Sequence, residues 1–280
     1  MDKFKLTKLI ERSREVVKED FLQQRCHDKV VLDLGCIRHS AEFALKDPRW
    51  LHMLIKSVSR KVVGVDYLPA EIEKLSENGF EIVYGDVTKP LNISDKFDVI
   101  VAGDLIEHLT NFEGFFENCS RLLTPEGVLI LTTPNPFYAG EFHYAAFKKN
   151  YLINPEHTCW IDPQALSQLA KRFGYYIVEI NFLKNSWDLS NLICETERHE
   201  YDIHNGTWQN DSISFKLTRK IVGTIFRPLY WCYRVITGSN SYLVRHSDYI
   251  VVMKRLPQAD QVRGLKGSEN GWGANDNKAH

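Results

Sequence analysis

Residues 30–40 have the sequence VVLDLGCIRHS, which indicates the fold class more clearly than any other segment of the chain. The apolar run Val30–Leu34 ends directly at Gly35, and a helical stretch begins a few residues later. Short apolar runs that alternate with helices are typical of parallel strands covered on both faces. Gly35 allows a tight turn and a close approach of the backbone to a ligand. The helix start behind it offers free N–H groups to an anion.

The alternation of strands and helices continues after this stretch and predicts a doubly wound α/β fold with right-handed crossovers. The further predicted strands are Val62–Asp66, Glu81–Tyr84, Phe97–Ala102, Gly127–Thr133, Tyr175–Leu183 and Tyr249–Lys254. The predicted helices between them are 40–59, 69–78, 111–123 and Gln164–Phe173, the last one ending at Gly174.

The same pattern divides the chain into four parts. Residues 1–27 are predicted as an N-terminal helix, 28–183 with 246–256 as the main domain, 184–245 as an insert and 257–280 as a disordered tail. Within the insert, 216–245 is basic and aromatic. Three interpretations stay open for it: a lid helix, a dimer contact, or a helix lying on an anionic membrane surface.

Composition excludes several classes of protein. The 280 residues contain 35 Lys and Arg against 36 Asp and Glu, which argues against a dedicated nucleic-acid binder. The six cysteines form no C-x-x-C pair, so neither a zinc knuckle nor a disulfide scaffold is predicted. The N-terminus lacks the apolar core of a signal peptide, and no apolar run of about 18 residues occurs. We therefore expect a cytoplasmic protein that does not bind nucleic acid.

Acidic residues follow two of the predicted strands. An acid at Asp66 can accept the hydroxyls of a ribose, and one at Asp86 can accept the exocyclic amine of adenine. A carboxylate that ends a buried strand is costly without a partner, which favours ligand contact at Asp66. Asp33 and Asp86 can instead bond only their own turns. Since Gly35 is the one glycine of a G-x-G-x-x-G pattern, the loop suits a carboxylate and an ammonium better than a pyrophosphate.

The segment after the predicted strand Phe97–Ala102 contains candidate catalytic or metal-binding residues. If a helix begins at Asp104, then Asp104, Glu107 and His108 share one face at i, i+3 and i+4. His108 can be a general base, a ligand of a divalent metal together with the two acids, or a residue that shapes the pocket floor.

A second histidine lies in NPEHTCWIDP, residues 154–163, which the topology places over the carboxyl edge of the sheet. His157 can therefore contact substrate or act as a base, or it can pack as an ordinary loop histidine.

The order of DLGC (33–36), VGVD (63–66), GDV (85–87), FDVIVAGDLIEHL (97–109) and LTPEGVLILTTPNP (123–136) resembles the class I S-adenosylmethionine-dependent methyltransferases. It is most similar to their small-molecule branch, which holds ubiquinone-type and sugar methyltransferases. The resemblance implies a Rossmann-like, seven-stranded, mostly parallel sheet with an antiparallel last strand. It also implies S-adenosylmethionine as the cofactor and S-adenosylhomocysteine as its product.

The resemblance further implies which residues hold the cofactor. Its methionine end would lie on a loop, its ribose and adenine on two strand ends, and its sulfonium beside a third. These residues are Asp33, Gly35 and Cys36 for the loop, Asp66 and Tyr67 for the ribose, Asp86 and Val87 for the adenine, and Asp104 and Leu105 for the sulfonium. Apart from the resemblance, His39 is expected to contact the cofactor carboxylate, with Arg38 and Ser40. Many members have glycine where Ile37 and His39 stand. Cys36, at an expected helix start, is predicted to have a lowered thiol pKa.

The predicted function is methyl transfer to a small-molecule, glycan or lipid-linked acceptor at oxygen, with His108 or His157 as base beside Glu107. No resident metal is expected. The departures at Ile37 and His39 keep one alternative open, an inactive binding protein of the same fold. The other alternative is an oxidoreductase for NAD or a nucleotide sugar, against which the missing glycines argue.

Overall fold

The computed structural model describes residues 3–138, 154–184 and 242–257. In this part of the chain, eight strands form one sheet. The strands are β1 (Glu15–Val16), β2 (Val30–Leu34), β3 (Lys61–Asp66), β4 (Ile82–Tyr84), β5 (Phe97–Gly103), β6 (Leu123–Pro134), β7 (Tyr175–Leu183) and β8 (Asp248–Arg255). The helices are α1 (Lys3–Glu11), α2 (Lys18–Cys26), α3 (Ala41–Lys46), α4 (Leu51–Val58), α5 (Pro69–Glu77), α6 (Phe112–Leu122), α7 (Pro163–Arg172) and α8 (Tyr242–Arg245), with a 3₁₀ turn at Ile106–His108.

The strand order is β1-β7-β8-β6-β5-β2-β3-β4, and only β8 runs antiparallel to its neighbours. From β2 the chain proceeds outward through β3 and β4, and then returns to the other side of β2 with β5. The switch point of the sheet therefore lies between β2 and β5, where ligands of such sheets bind. This topology confirms the predicted doubly wound, mostly parallel fold with its antiparallel last strand.

The N-terminal region differs from the single predicted helix. It contains two helices, α1 and α2, separated by β1, which pairs in parallel with Phe182 and Leu183 of β7. The Ser13 hydroxyl donates to the Ile10 carbonyl (2.6 Å), and the Arg14 N–H donates to Asn181 Oδ1 (2.9 Å). These bonds satisfy the backbone where the helix stops, and β1 brings the sheet to eight strands rather than the implied seven.

The predicted helix 40–59 is likewise two helices, α3 and α4. Between them Pro48 supplies no N–H, and the Asp47 side chain accepts from the Arg49 N–H (2.9 Å) in a tight turn. The structure thus places an added turn in the first crossover, between β2 and β3.

The structure confirms the predicted starts of two helices, α6 and α7, to within one residue. Asn111 caps α6 by accepting from the Gly114 N–H (3.1 Å), and Asp162 caps α7 by accepting from the Gln164 N–H (2.7 Å). Gly174, with φ of +78°, follows α7 in the left-handed conformation that ends helices, as predicted.

Apolar layers cover both faces of the sheet. Along β5, Ile100 and Ala102 pack in the cluster that includes Phe115 and Phe116 of α6. The alternate residues of β5, Val99 and Val101, pack in the opposite cluster with the side chains of α2. Because side chains of a strand alternate between faces, both clusters hold β5 and fix the position of the residues at its carboxyl end.

Several predictions fall on segments for which the structure gives no description. The insert is described only at 184 and 242–245, so most of the basic, aromatic segment 216–245 lies outside the described residues. The predicted tail lies outside them after 257. In the described ranges, the helices are too short or too polar to cross a membrane.

Candidate active site

The loop after β2 and the turn after β5 meet at the switch point. Gly35 has φ of +69°, and its N–H donates to the Val65 carbonyl (2.9 Å). A Cβ on Gly35 would lie 3.0 Å from Leu105 Cδ1, so a larger residue would push this turn away. The structure therefore brings Gly35 and Leu105 together.

The two residues that replace glycine in this loop have different environments. The Ile37 side chain is 8% exposed and packs in the apolar cluster that includes Trp50. His39 has φ of +61°, the left-handed conformation that favours glycine. Strain at such a residue costs about 1–3 kcal/mol. Ile37 is thus accommodated by packing, whereas His39 is held in a strained conformation.

Asp66, at the end of β3, holds the loop through backbone N–H groups. Its Oδ2 accepts from the Ile37 N–H (2.9 Å) and its Oδ1 from the Tyr67 N–H (2.8 Å). The residue is 4% exposed, and this burial raises the pKa of Asp66, although the two N–H donors oppose the shift. The sequence predicted that a ligand pairs with this buried carboxylate. In the structure, the backbone of the chain itself already provides two of its hydrogen bonds. Tyr67, the next residue, is 68% exposed.

A buried polar pair lies beneath the loop. His52 Nδ1 lies 2.9 Å from Asp33 Oδ2, and both residues are at most 2% exposed. The Trp50 indole N–H donates to the Cys36 carbonyl (2.8 Å). A Cβ on Gly64 would lie 2.6 Å from Cys36 Sγ, so only glycine fits there without displacement of the loop.

The sequence prediction did not include Trp50 and His52 among the site residues. A signal for them existed in the chain, because 33 residues separate Asp33 from Asp66 whereas about twenty is usual between such positions. The extra residues form the turn and helix α4 that support the loop.

The predicted lowering of the Cys36 pKa is wrong. Burial raises the pKa of this thiol well above its usual value, and the carboxylates of Asp33 and Asp66 add to the shift. The helix behind the loop begins only at Ala41, so no helix N-terminus stabilises a thiolate at Cys36.

Asp86 and Val87 follow β4. Oδ1 of Asp86 accepts from the Thr88 N–H (2.9 Å) and hydroxyl (2.7 Å), and these hydrogen bonds lower the pKa of Asp86. Oδ2 lies 3.2 Å from Lys89 Nζ, and the Asp86 side chain is 41% exposed. Val87 is 7% exposed and packs in the core. The turn uses one carboxylate oxygen, and the rest of the side chain remains accessible.

Asp104 does not share a helix face with Glu107 and His108, contrary to the prediction. It has φ of +50° and precedes a 3₁₀ turn of only three residues. Its Oδ1 accepts from the Thr132 hydroxyl (2.6 Å), and its Oδ2 forms an ion pair with Lys18 Nζ. Although the Asp104 carboxylate is partly desolvated, the Lys18 ammonium lowers its pKa overall.

The two predicted catalytic histidines lie side by side. The Thr158 N–H (2.8 Å) and hydroxyl (3.0 Å) both donate to the Glu107 carbonyl, which ties residues 154–163 to the 3₁₀ turn. The rings of His108 and His157 are perpendicular, with centroids 4.7 Å apart. One side-chain donor atom from each of Glu107, His108 and His157 lies within 4.8 Å of the others. This set can handle a proton or hold a divalent cation.

The electrostatics of this cluster favour neutral groups. Glu107 is 1% exposed; Thr133 donates to its Oε2 (3.0 Å), and Oε1 has no partner among the described residues. Burial, with the nearby Asp104 carboxylate, raises the pKa of Glu107 to about 8. Burial and the neighbouring His108 lower the pKa of His157. Glu107 is therefore protonated and His157 unprotonated near pH 7.

Comparisons with known proteins show which family the chain resembles. A family model described as "Methyltransferase domain" matches residues 9–180. A probable S-adenosylmethionine-dependent methyltransferase of Mycolicibacterium smegmatis is 29% identical over 171 residues, 59% of each chain. A ubiquinone biosynthesis O-methyltransferase of Actinobacillus pleuropneumoniae is 28% identical over 214 residues, 70% of this chain and 81% of that one.

Among solved structures, a SAM-dependent methyltransferase from Archaeoglobus fulgidus aligns with a TM-score of 0.45 and 18% identity, over 91% of this chain and 100% of that one. The chain spans between half and three fifths of the length of the mycobacterial relatives that it matches. Since the family model covers more than half of the sequence, the chain belongs to the methyltransferase-domain family.

Proposed function

We propose that the protein transfers a methyl group from S-adenosylmethionine to a hydroxyl oxygen of a small-molecule, glycan or lipid-linked acceptor. The observation that carries this proposal is the contact of the Gly35 loop with the turn at Leu105. This contact sets the proposed cofactor loop directly beside the turn that bears Glu107 and His108. Family membership and the names of the relatives support the choice of cofactor.

The loop and the strand ends fit the parts of the cofactor. The left-handed Gly35 forms the tight turn of the loop that would face the amino-acid end. Asp66 would accept the ribose hydroxyls with the lone pairs that its two backbone bonds leave, and the exposed Tyr67 would flank the ribose. Asp86 and Val87 would contact the adenine.

The remaining loop residues have more indirect proposed roles. Asp33 would fix the loop through His52, because both side chains are buried and bonded to each other. Cys36 would contribute its backbone to the loop while its side chain packs below. His39 would line the carboxylate side of the loop. Asp104 and Leu105 would lie next to the sulfonium.

S-adenosylmethionine supplies the methyl group on a sulfonium that is already activated, so positioning provides much of the rate. His108 or His157 would take the proton from the acceptor hydroxyl, whose oxygen forms the new bond to carbon. The bonding electrons leave with the sulfur, and the products are S-adenosylhomocysteine, a methyl ether and a protonated imidazole. Glu107 holds its own proton near pH 7, which leaves the histidines as the acceptors.

The test is transfer of a labelled methyl group from S-adenosylmethionine to a panel of catechols, sugars and polyprenyl-linked sugars. Loss of a general base costs about 100-fold or more, so one of His108→Asn and His157→Asn should lose that much activity. His27→Asn, at an exposed position after α2, is the matched control and should retain full activity. With His157 as the base, whose pKa is lowered, the rate should stay constant across neutral pH and fall in acid.

Other outcomes of this assay would assign the site differently. Loss of transfer on chelation, with recovery on adding Mg²⁺ or Zn²⁺, would make Glu107, His108 and His157 metal ligands rather than a base and its neighbours. Binding of S-adenosylhomocysteine without transfer to any acceptor would favour the inactive binding protein. Binding of NAD instead would favour the oxidoreductase and overturn the proposal.

A further inference from the structure

Helix α6 presents a row of polar residues and one glycine to the loop after β4. The members of the row are three or four residues apart and therefore share one face of the helix: Asn111, Gly114, Asn118 and Arg121. A Cβ on Gly114 would lie 2.1 Å from the Thr88 carbonyl oxygen, so only glycine lets the helix approach this closely. The row thus lies directly against the backbone of the loop.

Asn118 is the buried polar member of the row, with 4% of its surface exposed. Its side-chain N–H groups donate to the carbonyl oxygens of Val87 (2.9 Å) and Lys89 (2.7 Å). Its Oδ1 accepts from the Leu91 N–H (3.2 Å). One buried amide therefore binds three backbone groups within residues 87–91, which fixes the path of the loop.

The other two polar members of the row hold the same loop on either side of Asn118. Nδ2 of Asn111 donates to the Thr88 carbonyl (3.2 Å), while Oδ1 of Asn111 caps the helix. The Arg121 guanidinium donates to the carbonyls of Leu91 (2.5 Å) and Ile93 (2.9 Å). Asn111 and Arg121 are exposed, so water can replace their hydrogen bonds. Loss of the buried Asn118 amide should therefore release the loop most.

The residues that α6 holds are the same ones that orient the Asp86 carboxylate. The Thr88 N–H and hydroxyl donate to Asp86 Oδ1, and the Lys89 ammonium lies 3.2 Å from Asp86 Oδ2. The carbonyls of Thr88 and Lys89 accept in turn from the side chains of Asn111 and Asn118. A shift of the loop backbone would therefore turn the carboxylate away from its present direction.

We propose that Asn118 is a positioning residue for recognition of the cofactor's base: by binding the carbonyls of Val87 and Lys89, it holds the Asp86 carboxylate where it accepts the exocyclic amine of adenine. This inference rests on the proposed function, which places the adenine at Asp86 and Val87. A carboxylate held in one direction discriminates between an amine and a carbonyl at the same ring position, because it accepts from the first and repels the second. A carboxylate on a released loop can turn away from the carbonyl and loses this discrimination.

The experiment is calorimetric titration of the full chain with S-adenosylhomocysteine and with S-inosylhomocysteine, in which a carbonyl oxygen replaces the exocyclic amine. We expect the wild type to bind S-adenosylhomocysteine about tenfold or more tightly than S-inosylhomocysteine. Asn118→Leu has nearly the same shape but donates no hydrogen bond, so it should reduce this ratio to about threefold or less. Asn111→Asp keeps the helix cap and loses only the bond to the Thr88 carbonyl, so it should fold normally and reduce the ratio less.

Two controls separate positioning of the loop from a general loss of stability. Leu122→Ala removes a buried apolar side chain of the same helix, and it should lower the free energy of unfolding without changing the ratio of the two affinities. Glu117→Gln, at an exposed site next to Asn118, should change neither quantity. Every variant is checked for folding by thermal unfolding before titration.

Each contrary result has a distinct meaning. An unchanged ratio in folded Asn118→Leu would overturn the inference, and so would an equal fall of the ratio in Leu122→Ala, because Asn118 would then act only through stability. If Asn118→Leu does not fold, an unchanged ratio in Asn111→Asp would overturn the inference instead. Equal binding of both ligands by the wild type would contradict the placement of adenine at Asp86 and overturn the inference with it. A folded wild type that binds neither ligand would contradict the proposed function itself, which separates the two failures.

Discussion

The loop after β2 and the turn after β5 are in contact, yet the buried acids of the two regions are bonded differently. On the loop side, Asp66 accepts two backbone N–H groups and Asp33 pairs with His52. On the turn side, Glu107 Oε1 and His157 Nδ1 are buried without a partner in the part of the chain that the structure describes.

This difference indicates separate roles for the loop after β2 and the turn after β5. The acids of the loop side act first on the backbone, so their removal should disturb the shape of the loop. The groups of the turn side have unused hydrogen-bonding capacity and shifted pKa values, which is typical of residues that handle substrate. Stability should therefore respond most to changes beneath the loop, and pH dependence to changes at the turn.

The largest effect is expected beneath the loop, at Trp50. Trp50→Ala removes a 1% exposed indole and its bond to the Cys36 carbonyl, and we expect it to lower the free energy of unfolding by about 3–5 kcal/mol. Leu45→Ala, at a 40% exposed position of α3 in the same crossover, should cost much less. Chemical denaturation measures both. Equal losses would show that Trp50 does not support the loop.

At the turn, Glu107→Gln should stabilise the protein in a pH-dependent manner. Folding raises the pKa of Glu107 to about 8, so the folded state holds a proton that the unfolded state loses above its own, lower pKa. The contribution of Glu107 to stability therefore falls as the pH rises from the pKa of the unfolded state to that of the folded state.

Glutamine removes this titration and can still accept from the Thr133 hydroxyl. The gain should be absent in acid, grow with pH and level off above pH 8, reaching at most about 5 kcal/mol. Glu113→Gln, at an exposed site of α6, is the control and should show no such trend. A gain independent of pH would contradict the assignment of a proton to Glu107.

A smaller effect is expected at His39, where the loop is strained. His39→Gly should raise the free energy of unfolding by about 1 kcal/mol, because relief of the left-handed strain exceeds the entropy that glycine adds to the unfolded chain. His39→Ala keeps the Cβ and should not stabilise. If both variants gain equally, the imidazole ring and not the backbone is the source of the strain.

Some elements of the fold were predictable from the sequence, and others were not. The strand ends and the switch point follow from apolar runs such as Val30–Leu34, because buried parallel strands tolerate little else. The antiparallel direction of β8 was implied only by the family resemblance. The two-residue strand β1 was not predictable, since a polar bond from Arg14 to Asn181 ends the helix and no local pattern marks that contact.

The site residues at the ends of strands were predictable from the sequence. The residues that support them, and the conformation of the turn after β5, were not. Asp66, Asp86 and Asp104 lie where parallel strands end, which spacing alone indicates. His52 was missed because it pairs with Asp33 across 19 residues, and a buried histidine resembles any other in the sequence. The helix expected from Asp104 to His108 failed because Asp104 adopts a left-handed conformation, which its own side-chain bond to Thr132 supports.

The central claim is that the cofactor binds on the loop side of the site. Its most direct test is titration of the wild type, Asp66→Ala and His157→Asn with S-adenosylhomocysteine, each protein being checked for folding by thermal unfolding. We expect micromolar binding by the wild type, at least about tenfold weaker binding by Asp66→Ala, and binding by His157→Asn within about twofold of the wild type. No binding by the folded wild type, or equal binding by Asp66→Ala and the wild type, would contradict the placement of the cofactor on the loop side.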